Sequence, residues 1–301
     1  MKNRHSNFDL FKSFSFFVPG PKGLGIMFVW FIVGILLGNV VSLVAALALG
    51  DGSMEFATMI AYAVMFLPPM MYASLASKKN SFFESGRAMD SAHFGKTGGL
   101  LLALILVVST FCCGFVFDFI TTQLPEPPEW FTKLMEDMVG GNFIINFITV
   151  SLFAPFFEEW LCRGMVLRGL LNFKRKDGSR GMNPVWAIVI SAAFFAIIHG
   201  NIWQGLIAFA AGCLFGFVYY KTGSIKLTML MHFTNNTISL IVSRIPGLEA
   251  SDSWREVFTQ PAQYWTIFTA CFIFLVLALR VVSRIETADK QGNSDLISVT
   301  E

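Results

Sequence analysis

Long apolar stretches separated by short polar ones organise the chain. Eight of them run about Leu24 to Leu49, Phe56 to Leu75, Gly98 to Ile120, Phe143 to Leu171, Pro184 to Gly200, Ile202 to Tyr220, Leu227 to Ser243 and Tyr264 to Val282. Each is close to the roughly 17 to 25 residues that a helix needs to cross about 30 Å of hydrocarbon. The pattern predicts an all-α fold, a polytopic membrane bundle of about eight transmembrane helices. The break at Gly200-Asn201 is short enough for the fifth and sixth runs to form a tight helical hairpin.

No repeat or second domain is visible. In chain order the pattern gives an N-terminal segment (1–23), three transmembrane helices with an outer interfacial segment (24–142), the core helices that carry the candidate chemistry (143–243), an outer loop with the last helix (244–284) and a polar tail (285–301) read as a mobile end. In the outer segment PEPPEWFTKLMEDMVG, Pro127 and Pro128 suit a helix start, and Trp130, Phe131, Leu134 and Met138 recur at helical spacing. It is predicted to lie along the outer interface. The stretch FDLFKSFSFF does the same on the inner side, or else both segments pack against the bundle.

Composition settles the class. Of 301 residues, 54% are hydrophobic, 14% are charged and 33 are Phe, with a mean hydropathy of +0.61. These values describe an integral membrane protein. A net charge of +2, with no basic block interleaved with aromatics, excludes a nucleic-acid partner. Cys112, Cys113, Cys162, Cys213 and Cys271 all fall in apolar runs without zinc-site or disulfide spacing, and read as small hydrophobes. The first run is too long for a signal-peptide core and is expected to stay as an anchor. With the N-terminus in the cytoplasm, 17 Lys and Arg fall on the inner side and only Lys133, Arg244 and Arg255 outside, which predicts cytoplasmic N- and C-termini.

The candidate chemistry lies in three of the core spans. Glu158 and Glu159 stand in a stretch apolar enough to cross a bilayer, where charge is costly and usually functional. In EEWLCR, Glu159 and Arg163 are four apart and can pair on one helix face, whereas Glu158 points about 100° away. Glu159 with Arg163 reads as a structural ion pair. Glu158 has no sequence-local partner, so it needs a proton, a cation, a metal or a wet cavity. Pro155, three residues earlier, is expected to kink the helix beside it.

FAIIH in the next span places Phe195 and His199 on one face, and HFTNN in the seventh does the same for His232 and Asn236. Counted from the inner helix ends at about 1.5 Å per residue, Glu158 lies roughly 20 Å deep, His199 roughly 22 Å and Asn236 roughly 14 Å, while His232 is shallower at about 8 Å. His232 therefore needs a tilt or an earlier helix start to join the others. A carboxylate, two imidazoles and an amide in a dry bundle suit the activation of water. Glu158 can serve as general base, and the histidines can hold the water, polarise a carbonyl or ligate a divalent metal. Asn236 can donate to a developing oxyanion. The reaction class indicated is amide hydrolysis. No HExxH or GxSxG is present.

EExxxR, then FxxxH, then HxxxN, each on its own transmembrane helix, resembles the CPBP (Abi) family of intramembrane proteases, which includes type II CAAX prenyl endopeptidases and bacteriocin-processing proteins. The motifs run from Glu158 to Asn236. The resemblance implies that Glu158 is the water-activating base, that Glu159 and Arg163 support it, that His199 and His232 complete the site and that Asn236 stabilises the oxyanion. Two alternatives stand for the metal. Glu158, His199 and His232 match a hydrolytic zinc set in donor type, as in a metalloprotease, or glutamate acts with histidine and no metal. The expected partners are the lipid bilayer and a membrane-associated peptide or protein substrate, prenylated or not.

The competing class is non-enzymatic: an inactive scaffold or immunity protein of the same fold or, further behind, a small transporter, for which paired broken helices in two related halves are missing. Asn235 precedes Asn236, but only Asn236 is four residues from His232. The basic loop FKRKDGSRGMN covers an entrance to the site or serves topology alone. Gly212 and Gly216 form a GxxxG for close packing in the sixth span.

Overall fold

A computed structural model describes residues 10–49, 54–84, 86–246, 253–287 and 296–297. All eight apolar runs are helices: α1 (Pro21–Leu49), α2 (Met54–Asn80), α3 (Gly99–Thr121), α5 (Phe143–Asn172), α6 (Pro184–Ile197), α7 (Ile202–Thr222), α8 (Ile225–Val242) and α9 (Pro261–Ser283), with a short α4 (Glu129–Val139) between α3 and α5. Six of them are long and apolar enough to cross a membrane; α6 is apolar but has only 14 residues. α8 is diluted by Lys226, His232, Asn235 and Asn236. The protein is a multi-pass, all-α membrane protein.

Local chemistry explains where the core helices start. Asn142, Asn183, Asn201 and Ser224 cap α5, α6, α7 and α8, each side chain accepting a first-turn backbone N–H. The break at Gly200 (φ +71°) folds α6 back on α7 as the expected hairpin. Its halves approach closely because Gly212 has no side chain: a Cβ there would lie 3.0 Å from the Ala192 Cα. α1 and α2 form a second hairpin by the same means. A Cβ on Gly34 would fall 1.9 Å from the Met65 carbonyl oxygen, and one on Gly38 2.8 Å from that of Ala61.

Two apolar clusters flank the centre. One joins α1, α2, α5 and α6 through residues such as Phe31, Phe66, Trp160 and Leu167, and the other joins α3, α7, α8 and α9 through Leu106, Phe115, Phe215 and Leu275. α5 is irregular. Wide i to i+5 turns occupy Phe147–Phe153 and Trp160–Leu167, on either side of an ordinary α-helical stretch, Ala154–Glu159. The effect at Pro155 is a change of hydrogen-bond register. The Ala154 N–H bonds to the Thr149 carbonyl, five residues back. In that register the donor for the Val150 carbonyl would be the N–H of residue 155, which proline lacks.

One end of the bundle is closed by Arg168, 2% exposed. Its guanidinium donates to the carbonyls of Gly164, Arg87, Phe14 and Phe17 at 2.6–3.2 Å, tying the N-terminal segment and the α2–α3 loop to α5. Of the expected interfacial stretch FDLFKSFSFF, residues 8 and 9 lie outside the described residues. The remainder packs inward, with Phe11 on Phe156, Phe14 on Trp160 and Phe17 on Tyr72. α4 lies against the start of α7, where Phe131 stacks on Trp203 at 5.2 Å. The basic loop after α5 is a tight hairpin with a Lys174–Arg180 bridge. Of the tail, 288–295 and 298–301 lie outside the described residues, while Leu296–Ile297 pairs antiparallel with Gly86–Arg87.

Candidate active site

The two glutamates occupy different environments, as their 100° separation predicts. Glu159 is 0% exposed, and one of its oxygens, Oε1, accepts Arg163 Nη1 at 2.9 Å and meets His232 Nδ1 at 3.0 Å. The Arg163 guanidinium lies over the Phe195 ring at 4.5 Å and the Phe215 ring at 5.3 Å, and its Nη2 donates to the Gly212 carbonyl at 3.3 Å. The same bare glycine that admits α6 thus receives the arginine. Glu159 and Arg163 form the expected ion pair, which in turn holds the histidine.

Glu158 is 14% exposed and faces α2 and α8. Its Oε1 accepts the Tyr62 hydroxyl at 2.5 Å. Its Oε2 is buried with no hydrogen-bond partner among the described residues and lies 3.9 Å from His232 Nε2. That distance is too long for a direct hydrogen bond and suits a bridging water. When Nδ1 donates to the Glu159 carboxylate and Nε2 carries no proton, His232 turns a lone pair at Nε2 toward Glu158.

His232 reaches the glutamates although it is shallow when counted from its own helix end. α8 begins beside Gly164, well inside the end of α5: a Cβ on Gly164 would lie 3.2 Å from Ile225 Cδ1. The seven residues from Ile225 to His232 and the five from Gly164 back to Glu159 then cover about 10 Å and about 8 Å, which agree. The depth estimate put every helix start in one plane, whereas Met89 from the α2–α3 loop, 0% exposed, fills the space before α8. The Tyr219 hydroxyl holds the Met89 carbonyl at 2.8 Å.

His199 lies just beyond α6, in its last, tightened turn, with the ring Nδ1 on the Phe195 carbonyl at 2.7 Å. The Phe195 ring is 5.0 Å from the His199 ring and 5.4 Å from that of His232, so both histidines pack on one phenyl group. Asn236 donates Nδ2 to the Val150 carbonyl at 2.8 Å, the acceptor that Pro155 leaves without a backbone donor, and its Oδ1 accepts Asn235 Nδ2 at 3.1 Å. This contact fixes the amide orientation and ties α8 to the irregular part of α5.

The candidate zinc set, one of the two alternatives read from the sequence, does not assemble among the described residues. Among the described residues, no three His, Cys, Asp or Glu side chains converge as metal ligands. His232 and Glu158 offer one free atom each, but His199 makes no contact with either that would complete a triad. The arrangement as folded therefore does not fit a three-ligand zinc site.

Sequence reading missed two contributors. Tyr62 carries no charge and no motif; a phenol in an otherwise apolar span is its only signal. The Val150 carbonyl is marked only by Pro155 five residues later.

Residues 140–238 match the family described as Type II CAAX prenyl endopeptidase Rce1-like. No curated protein and no solved structure matches the chain. The matched stretch runs from just before α5 into α8 and includes all six expected site residues.

Proposed function

We propose that this membrane protein, whose core is Rce1-like, is an intramembrane endopeptidase in which Glu158 activates a water held between its own Oε2 and His232 Nε2. The observation that carries the reading is the 3.9 Å gap between two acceptors, one of them a buried carboxylate oxygen with no other partner. A water about 2.8 Å from each would see them about a right angle apart, close to the angle between its own two O–H bonds. It would donate to both and turn a lone pair outward, toward a substrate carbonyl.

In the step that follows, Glu158 takes one proton from the water while the oxygen adds to the carbonyl carbon. The tetrahedral intermediate then collapses as that proton passes to the leaving amine. Asn236 has one amide hydrogen on Val150 and a second free for the developing oxyanion, and His199 keeps Nε2 for the substrate. Glu159 and Arg163 hold His232 in the tautomer the water needs. The Rce1-like match supports a CAAX-type substrate, a membrane-associated peptide cut near its C-terminus. The basic loops favour cytoplasmic termini, with that end of the bundle facing the substrate.

The test is cleavage, by the full chain in lipid vesicles, of an internally quenched peptide ending in a farnesylated CAAX tetrapeptide, with the unprenylated peptide alongside. Glu158→Ala should abolish cleavage without lowering the melting temperature. Equal rates for the parent and the variant would refute the assignment, and equal rates on the two peptides would remove the prenyl group from the substrate.

A further inference from the structure

We propose that Tyr62, outside the family-matched stretch, is a positioning residue for the base: its hydroxyl holds Glu158 Oε1 so that Oε2 is the oxygen presented to the water. This rests on the reading of Glu158 as base. A carboxylate free to rotate about its last bond exchanges its two oxygens, and a donor on one of them removes that freedom. The Tyr62 hydroxyl, 2.5 Å from Oε1, supplies such a donor without adding charge to a low-dielectric site.

The hydroxyl is itself held in place. Met65 and Ala61, whose carbonyls receive α1 at Gly34 and Gly38, bracket Tyr62 in the chain, so the α1–α2 contact fixes the turn that carries it. One turn on, Phe66 is 1% exposed, stacks on Phe157 at 5.0 Å and 11°, and meets Phe31 at 5.4 Å. Phe157 is the residue before Glu158. The Tyr62 ring joins this aromatic row, 5.6 Å from Phe66, where plain phenyl groups do the packing. The hydroxyl is not needed to fill space, and among the described residues its hydrogen-bond partner is the glutamate.

Tyr62→Phe in the full chain removes the hydroxyl and keeps the ring. With the farnesylated CAAX peptide as probe, kcat should fall about tenfold or more while KM stays within about twofold, since a hydrogen bond to a charged group is lost and substrate contacts are not. The melting temperature should fall modestly, because Oε1 is left without its donor, so kcat is compared well below it, where both proteins are folded. The carboxylate infrared band of Glu158, assigned by difference from Glu158→Gln, should move in Tyr62→Phe. An unchanged kcat, a change in KM alone, or an unmoved band overturns the proposal while leaving Glu158 as base. If the parent does not cleave and Glu158→Ala is no different, the functional reading fails first, and the positioning role falls with it even if the band moves.

Discussion

The two sides of the bundle are built differently. Around α3 and α9 the helices are regular and the contacts are apolar and aromatic, as where Phe115 meets Trp254, Phe258 and Tyr264. Around α5 and α8 the backbone changes register twice, and the contacts are charged or polar: Glu159 with Arg163 and His232, and Asn236 with Val150. In hydrocarbon an unpaired polar group is expensive, and each irregular stretch of α5 has a side-chain donor on one of its carbonyls, Asn236 on Val150 and the Ser191 hydroxyl on Cys162. The candidate site lies on the side where the helix departs from regularity, because that is where side-chain groups replace backbone ones.

Substitutions can break this contrast. The largest effect is expected from Arg163→Met. It leaves a buried carboxylate without its cation and should destabilise the protein by about 3–5 kcal/mol, read by unfolding in detergent. Next, Gly34→Ala puts a methyl into the Met65 carbonyl and should cost about 1–3 kcal/mol by forcing α1 from α2. It should also lower kcat through Tyr62.

A double-mutant cycle sharpens the comparison. Asn236→Ala should cost less in a Pro155→Ala background, where residue 155 regains its N–H for Val150, with a coupling of about 0.5–1.5 kcal/mol. Additive effects would show that the amide serves some other acceptor. The smallest effect should come from the regular side, where Leu106→Val trims an apolar contact, costs about 0.5–1.5 kcal/mol and leaves kcat unchanged.

The sequence foretold the regular side better than the irregular one. Apolar length located every helix within a few residues, since crossing hydrocarbon leaves little freedom, and spacing of four found the Glu159–Arg163 pair and the Phe195–His199 contact. It missed what depends on relative helix height. His232 looked too shallow because nothing in α8 records that Met89 takes the space before it. The Tyr62 contact joins residues 96 apart, beyond any local period. The GxxxG at Gly212 and Gly216 drew notice, yet Gly34 and Gly38 make the closer approach, and only the identity of the opposing backbone separates the two cases.

Arg168 also sets an order of assembly. The carbonyls of Phe14 and Phe17 that it holds belong to residues made 154 and 151 positions earlier, and the one from Arg87 comes 81 positions before it. While the chain is still emerging, α1 and α2 can pair and Phe17 can already meet Tyr72, but Phe11 and Phe14 lack the Phe156 and Trp160 rings they pack on until α5 is complete. The N-terminal aromatic segment is therefore fastened in two stages, and a nascent chain halted before α5 would expose Phe11 and Phe14 to whatever insertion factor or chaperone attends it.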